Sequence, residues 1–152
     1  MVLRAAVEAG GPYRERIVGF TRLPVRRTPT RILDVGKRIL IVDDNPDFRA
    51  AAAELLAECG FELIDEAADG DEALSAVSRT CPDGILLDIN LPGRDGFAMA
   101  TSLASACPGV RIVLTSSEVD RVSAAVVKNC GAMVFVPKDQ LATVDLRELL
   151  AG

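Results

Sequence analysis

The chain of 152 residues contains no histidine, and none of its apolar runs approaches the roughly 20 residues that a membrane-spanning helix needs. Without histidine, the chain cannot hold a Ser-His or Cys-His catalytic pair, an imidazole-completed zinc site or a phosphohistidine of its own. Its beginning also lacks the charged, apolar and small-residue order of a secretory signal peptide. These absences predict a cytoplasmic protein without a membrane segment.

Cysteine is sparse as well, and the four cysteines stand more than 20 residues apart. No C-x-x-C pair occurs, so no zinc cluster of that kind is indicated. Each cysteine is followed by Gly or Pro and therefore falls at a predicted helix end. We expect all of them to be small buried apolar residues in a reducing compartment. They are Cys59, Cys81, Cys107 and Cys130.

Basic residues are few in most of the chain. Residues 39–152 hold eight Lys or Arg against 19 Asp or Glu, a balance of −11. This charge argues against DNA binding by residues 37–152. Apolar residues make up 49% of the chain, and its length suits one domain with a proper core.

The beginning of the chain has the opposite charge, because residues 1–38 hold nine basic and three acidic residues, a balance of +6. Residues 1–36 contain a Gly-Gly-Pro sequence and two further prolines, with no sustained helix or strand period. They are predicted to form a disordered N-terminal extension. Two other interpretations stay open: a basic arm for nucleic acid or membrane, or residues upstream of a true start at Val35.

From residue 37 onward, short apolar runs alternate with stretches of helical period. The runs are too short for helices and are bounded by turn residues, as buried parallel strands are. Helix signals follow them, such as Pro46 for a first turn and Gly60 for a stop. The predicted strands are 39–42, 61–66, 84–87, 110–114 and 133–136. The predicted helices are 46–59, 69–81, 96–106, 119–130 and one after residue 138.

Five repeats of strand and helix predict an α/β fold with a doubly wound, five-stranded parallel sheet and five helices, because parallel strands need right-handed crossovers. Ligands of such sheets bind beyond the carboxyl ends of the strands. Polar residues follow the apolar strands at those ends: Asp43, Asp44, Asp88, Thr115 and Lys138. One Asp after a strand is most often a turn former. Together these residues supply three carboxylates, a hydroxyl and a cation.

Three carboxylates at one sheet edge repel one another unless a cation or a shared proton offsets the repulsion. Hard oxygen ligands of this kind suit Mg2+, which often bridges a carboxylate to a phosphoryl group. The strand ends therefore predict phosphoryl chemistry at an acidic Mg2+ pocket.

Four sequences extend this prediction: Ile-Leu-Ile-Val-Asp-Asp, Leu-Leu-Asp-Ile-Asn-Leu-Pro-Gly-Arg-Asp-Gly, Ile-Val-Leu-Thr-Ser and Gly-Ala-Met-Val-Phe-Val-Pro-Lys. In their order and spacing, residues 37–152 resemble the receiver domain of two-component response regulators, of the single-domain, chemotaxis type. The resemblance implies the flavodoxin-like receiver fold with strand order 2-1-3-4-5.

The resemblance also implies a chemical role for each acidic residue. Asp88 would be the phosphoacceptor, attacking the phosphorus of a phosphohistidine on a histidine kinase or a histidine phosphotransfer protein. Asp44 and Asp88 would ligate Mg2+ directly, together with the backbone carbonyl of Asn90. Asp43 would hold the ion chiefly through water.

Thr115, Lys138 and Phe135 complete the expected machinery. Lys138 would share the phosphoryl charge with Mg2+, and the Thr115 hydroxyl would donate to a phosphoryl oxygen. Lys138 could also pair with Asp88 in the resting state, and Thr115 could cap a turn. The resemblance further implies a switch, in which Thr115 moves toward the phosphoryl group and Phe135 turns into the vacated space. Ordinary strand packing explains Phe135 equally well.

Only 14 residues follow Lys138, so no output domain is expected. The predicted output is a contact with a downstream protein or a phosphorylation-dependent homodimer. No enzyme activity is expected beyond catalysis of the protein's own phosphorylation and slow dephosphorylation.

Three alternatives differ from this prediction. A degenerate receiver, which keeps the fold as a phosphorylation-independent interaction module, stays open. A calcium-binding loop would match Asp88, Asn90 and Gly93, but its twelfth position is Met99 rather than a bidentate Glu. A haloacid-dehalogenase-type phosphatase would need Asp-x-Asp after the first strand, where this chain has Asp-Asp-Asn.

Overall fold

A computed structural model describes residues 36–118 and 122–152, which alternate between strands and helices. The strands are β1 Arg38–Val42, β2 Glu62–Ala67, β3 Gly84–Asp88, β4 Arg111–Ser116 and β5 Val134–Pro137. The helices are α1 Pro46–Glu58, α2 Gly70–Thr80, α3 Gly96–Ala106, α4 Ala124–Asn129 and α5 Leu146–Ala151. A 3-10 helix, Lys138–Thr143, stands between β5 and α5. Residues 1–35 of the predicted extension lie outside the described residues.

The strands form one parallel sheet in the order β2-β1-β3-β4-β5. The predicted doubly wound α/β fold, with its strand order, is confirmed. The order places β1 beside β3, although α1, β2 and α2 separate them in sequence. The residues that end β1 and β3 therefore share one edge of the sheet.

Both faces of the sheet are covered by helices, which explains why the central strands are apolar along their whole length. One face packs against α2, α3 and α4 and the other against α1 and α5. Alternate residues of each strand point to opposite faces, so Leu86 belongs to one cluster while Ile85 and Leu87 belong to the other. All five residues of β3 are buried.

Each described α-helix begins after a polar residue whose side chain accepts a hydrogen bond from a backbone N–H of the first turn. Such caps contribute about 1 kcal/mol each, because the first N–H groups of a helix have no partner within it. The caps are Asn45, Asp69, Asp95, Ser123 and Asp145.

Two helices differ from their predicted bounds by more than one residue at an end. The fourth was expected at 119–130, but α4 begins at Ala124, because the Ser123 side chain accepts from the N–H of Val126 and caps the helix there. Residues 119–121 lie outside the described residues. The last segment is a 3-10 helix followed by α5, because the chain becomes extended at Val144 and is capped again by Asp145.

The prediction that all four cysteines are small buried apolar residues in a reducing compartment is wrong for two of them, because they are oxidised. Cys81 and Cys107 form a disulfide with a Cα–Cα distance of 5.5 Å, and Cys81 is exposed. The folded chain brings together two helix ends that are 26 residues apart in sequence, a proximity that spacing alone does not reveal. Cys59 and Cys130 are buried and keep their thiols, as expected.

None of the helices in 36–118 and 122–152 combines the length and the apolar character that a membrane crossing needs.

Candidate functional site

The carboxylates of Asp43, Asp44 and Asp88 meet at the carboxyl edge of the sheet. One oxygen from each lies within 4.8 Å of the others. Asp43 and Asp44 follow β1 directly, and Asp88 is the last residue of β3, so the strand order alone brings them together. Asp43 and Asp88 are buried, whereas Asp44 is exposed.

Lys138 places a cation against the two buried carboxylates. Its Nζ lies 2.7 Å from Asp43 Oδ2 and 3.2 Å from Asp88 Oδ2. The predicted resting-state pairing of Lys138 with Asp88 is therefore present, but the Asp43 contact is the shorter one. Three carboxylates against one ammonium leave an excess of two negative charges, which a divalent cation can balance.

The second oxygen of each buried carboxylate is held by the backbone. Asp43 Oδ1 accepts from the N–H of Asn45 at 2.8 Å, and Asp88 Oδ1 accepts from the N–H of Asn90 at 2.9 Å. Such two-residue turns are a local habit of Asp. They fix both carboxylates in orientation and turn the Oδ2 atoms toward Lys138.

The charges and burial in the pocket raise the pKa values of Asp88 and Lys138. Burial raises the pKa of Asp88 above its ordinary value, with the nearby Asp43 adding to the rise, although the Asn90 N–H and Lys138 act against it. Burial alone would lower the pKa of Lys138, but its contacts with Asp43 and Asp88 outweigh that effect and raise it. Lys138 therefore stays charged in the folded protein at neutral pH.

Thr115 supplies a hydroxyl without a partner. It is fully buried, and its Oγ1 has no hydrogen bond within the part of the chain that the structure describes. Thr115 is paired in register with Asp88 on the neighbouring strand, so the two residues lie side by side at the sheet edge. A buried hydroxyl with no protein partner is suited to a ligand, because burying it unpaired is unfavourable.

Asn90 and Ser116 join the loops that follow β3 and β4. The Asn90 amide donates to Ser116 Oγ at 2.6 Å, and that oxygen also accepts from the N–H of Glu118 at 2.9 Å. Asn90 therefore stands beside the carboxylates, because its N–H donates to Asp88 and its side chain donates to the last residue of β4.

Phe135, the other predicted switch residue, is fully buried in β5 and packs in the apolar cluster beneath α2, α3 and α4. It is paired in register with Leu114, the residue before Thr115. Its position matches strand packing, and the proposed movement stays a prediction.

Two residues of α1 support the pocket and were not identified from the sequence. Arg49 donates to the backbone carbonyl of Asp43 at 2.6 Å and lies 3.5 Å from Glu66 of β2. The Phe48 ring lies with its centroid 4.2 Å from Lys138 Nζ, a cation–π distance. Their place in the first turn after Pro46 was a usable signal, because that turn begins at the acidic edge.

These residues fit a magnesium ion. The oxygen donors are three carboxylates, which are hard ligands of the kind that Mg2+ takes, and their excess charge matches a divalent ion. The direct ligands predicted from the resemblance stay Asp44, Asp88 and the carbonyl of Asn90, and the predicted water-mediated contact stays that of Asp43. A calcium-binding loop does not fit, because Met99 in the twelfth position is a buried core residue of α3.

The chain belongs to the response regulator receiver domain family, whose model matches residues 39–151. The predicted family is therefore confirmed.

Among curated proteins, the chain is similar to the transcriptional regulatory protein PdtaR of Mycobacterium tuberculosis. The two are 34% identical over 128 residues, which cover 77% of this chain and 62% of PdtaR. It is also 36% identical over 104 residues to protein-glutamate methylesterase/protein-glutamine glutaminase 3 of Hahella chejuensis, covering 67% of this chain and 30% of that protein. The chain thus matches less than two thirds of the length of either relative.

Solved structures give the same fold. A two-component response regulator of the LuxR family from Aurantimonas sp. SI85-9A1 superimposes with a TM-score of 0.63 at 29% identity, covering 68% of this chain and 74% of that one. The CheX-CheY-BeF3-Mg2+ complex from Borrelia burgdorferi gives a TM-score of 0.60 at 28% identity, covering 68% and 78%.

Proposed function

We propose that this chain is a phosphoacceptor, which receives a phosphoryl group on Asp88 from a histidine kinase or a histidine phosphotransfer protein in a Mg2+-dependent reaction. One observation carries the proposal: three carboxylates, a paired lysine and an unpartnered buried hydroxyl converge at one sheet edge. Packing of the sheet alone does not account for an excess of buried negative charge at this edge.

In the proposed reaction, a carboxylate oxygen of Asp88 forms a bond to phosphorus, while the bond from phosphorus to the partner's histidine nitrogen breaks. The electron pair of that bond returns to the imidazole, and the product is an acyl phosphate. Bound Mg2+ would supply charge neutralisation on the phosphoryl oxygens.

The surrounding side chains orient and neutralise. Lys138 is already within 3.2 Å of Asp88 and can follow the negative charge onto the phosphoryl oxygens. Thr115 has a free hydroxyl to donate to one of them. The Asn90 N–H on Asp88 Oδ1 holds the nucleophile in one orientation, which reduces the entropy lost on reaching the transition state.

The output of the proposed phosphorylation is a protein contact, made with a downstream target or with a second copy of the chain in a phosphorylation-dependent homodimer. The balance of −11 over residues 39–152 disfavours DNA as the partner of this part. A cytoplasmic location would give access to the kinase.

The test uses the full chain, incubated with acetyl phosphate and Mg2+ and followed by intact mass. We expect one added phosphoryl group in the wild type, none in Asp88→Ala, and none when EDTA removes the metal. Asp65→Asn is the matched control, because it removes a carboxylate of β2 that pairs with Arg79 away from the pocket, and it should be labelled like the wild type.

The degenerate receiver is the competing outcome. If the folded wild type gains no phosphoryl group under conditions that label a known receiver, the phosphoacceptor proposal is wrong and the chain is an interaction module.

A further inference from the structure

A cysteine directly follows the last residue of four helices, as the C-cap, and the backbone at one of these caps differs from the others. At α1 and α4 the chain turns through the following glycine, with φ of 86° at Gly60 and 83° at Gly131. At α2 the cysteine itself turns the chain, with φ 39° and ψ 73° at Cys81. Cys81 has the only positive φ of a non-glycine residue in 36–118 and 122–152.

A left-handed backbone costs a residue with a side chain about 1–2 kcal/mol relative to the right-handed region, which is why helices usually end at Gly or Asn. The contacts of the Cys81 side chain account for a cysteine at this position. Its sulfur forms a disulfide with Cys107, the residue directly after α3.

The two sulfurs differ in access. Cys107 is 2% exposed, whereas Cys81 lies on the surface. An incoming thiol or disulfide can therefore reach the bond from the Cys81 side, and Cys107 is the partner that closes or releases it.

The disulfide joins the C-terminal ends of α2 and α3. At the other end of the pair, Arg94, just before α3, forms an ion pair with Asp71 in the first turn of α2. The ion pair is exposed and therefore weak. Opening the disulfide would leave the two helices joined by that pair and by their apolar contacts.

We propose that Cys81 and Cys107 are a thiol–disulfide exchange site for low-molecular-weight disulfides such as oxidised glutathione. The Cys81 thiolate attacks one sulfur of the small disulfide, forming a mixed disulfide and releasing one thiolate. The Cys107 thiolate then attacks the Cys81 sulfur and releases the second thiolate. Two protein thiols are oxidised, one small disulfide is reduced to two thiols, and α2 becomes covalently tied to α3.

The test equilibrates the full chain, as the double variant Cys59→Ala/Cys130→Ala, in buffers with different ratios of reduced to oxidised glutathione. Acid quenching, alkylation and intact mass then count the free thiols. We expect a reversible change from two free thiols to none. Digestion of the oxidised protein should yield a disulfide-linked peptide pair that contains both Cys81 and Cys107 and separates on reduction.

Two single variants test the order of attack in the same background. Cys107→Ser should accumulate one glutathione on Cys81, because the closing thiol is absent. Cys81→Ser should react about tenfold or more slowly, because the buried Cys107 thiol is poorly accessible. Circular dichroism verifies that both variants fold.

Three results would overturn the proposal. The first is two free thiols at every glutathione ratio in the folded double variant. The second is a disulfide that excess dithiothreitol opens only after unfolding, which makes it a permanent crosslink. The third is addition of glutathione to Cys81→Ser and Cys107→Ser at equal rates, which would contradict the roles of Cys81 as the attacking thiol and Cys107 as the closing thiol. None of these readouts depends on phosphorylation of Asp88.

Discussion

The two edges of the sheet are built on opposite principles. At the carboxyl edge, Asp43, Asp88 and Thr115 are buried with an excess of negative charge and an unpartnered hydroxyl. At the amino edge, charged residues are satisfied by the protein itself. Arg38 donates to the Thr80 carbonyl at 2.5 Å, and Asp83 accepts from the N–H of Arg38 at 2.7 Å.

Further contacts strengthen the amino edge. Arg111 donates to the carbonyls of Glu148 and Leu149, each at 3.0 Å, and so satisfies the end of α5. The disulfide joins the ends of α2 and α3 on the same side. The comparison shows that polar groups at the amino edge have partners that stabilise the fold, whereas the carboxyl edge retains excess negative charge and a hydroxyl without a partner among the described residues. Removing a contact at either edge should therefore lower stability, whereas removing an excess carboxylate from the carboxyl edge should raise it.

The largest effect is expected from the disulfide at the amino edge. Cys81→Ser/Cys107→Ser should lower the free energy of unfolding by about 3–4 kcal/mol under oxidising conditions, because a crosslink over this separation restricts the unfolded chain. Urea denaturation measures it. In dithiothreitol the difference from the wild type should nearly vanish, and equal stability in both conditions would contradict the structural role.

A smaller loss should follow removal of the cation at the carboxyl edge. Lys138→Met leaves Asp43 and Asp88 without their ammonium, and we expect a loss of about 2 kcal/mol, below the range for a fully buried pair because the pocket is partly open. Urea denaturation in EDTA measures it. Lys128→Met on the exposed side of α4 is the control and should stay within ~0.5 kcal/mol of the wild type.

The charge of Asp88 should destabilise the metal-free protein. Asp88→Asn is expected to raise the free energy of unfolding at pH 7 by about 1 kcal/mol, because it removes a buried charge next to Asp43. Thermal unfolding in EDTA measures it as a higher Tm.

The pKa of Asp88 also determines how the stability advantage of Asp88→Asn changes with pH. The folded-state pKa of Asp88 is raised above the ordinary value of 3.8, so the folded wild type retains a proton that the unfolded chain loses. Wild-type stability is therefore lost as pH rises through the raised pKa. The Tm advantage of Asp88→Asn should be small below pH 3.8 and reach a plateau above the raised pKa. A constant advantage would exclude the titration of Asp88 as its cause.

The smallest expected effect concerns the ring beside Lys138. Phe48→Leu keeps an apolar side chain but removes the cation–π contact, which contributes about 0.5–1 kcal/mol at a partly exposed position. A double-mutant cycle with Lys138→Met isolates this term. A coupling energy of zero would mean that the ring only covers apolar surface.

The sequence predicted the fold and the meeting of the polar strand-end residues at one edge of the sheet, because both depend on local patterns. Apolar runs of strand length gave the five strands, and the predicted third helix, 96–106, has the bounds found in α3. The polar residues at the strand ends need only a parallel sheet to come together. That is why the positions of Asp43, Asp88 and Lys138 followed from the strand order alone.

The missed features depend on packing between distant segments. The Cys81–Cys107 bond needs the ends of α2 and α3 to be adjacent, which no spacing rule encodes. The shorter contact of Lys138 with Asp43 depends on side-chain direction across the sheet edge. The break before α5 had a local signal, because Asp145 is a cap residue three positions before Glu148.

Lys138 directly follows β5 but pairs with residues at the ends of β1 and β3, so its side chain reaches past β4. Adjacent strands are about 4.8 Å apart, so β5 lies two intervals from β3 and three from β1, and only a long side chain can meet carboxylates that extend from both of those strands. The position therefore requires length and a compact charged end together. Arginine would supply the charge, but its planar guanidinium spreads that charge over a rigid fork, whereas the single Nζ of Lys138 contacts both carboxylates and the phenyl ring from one point.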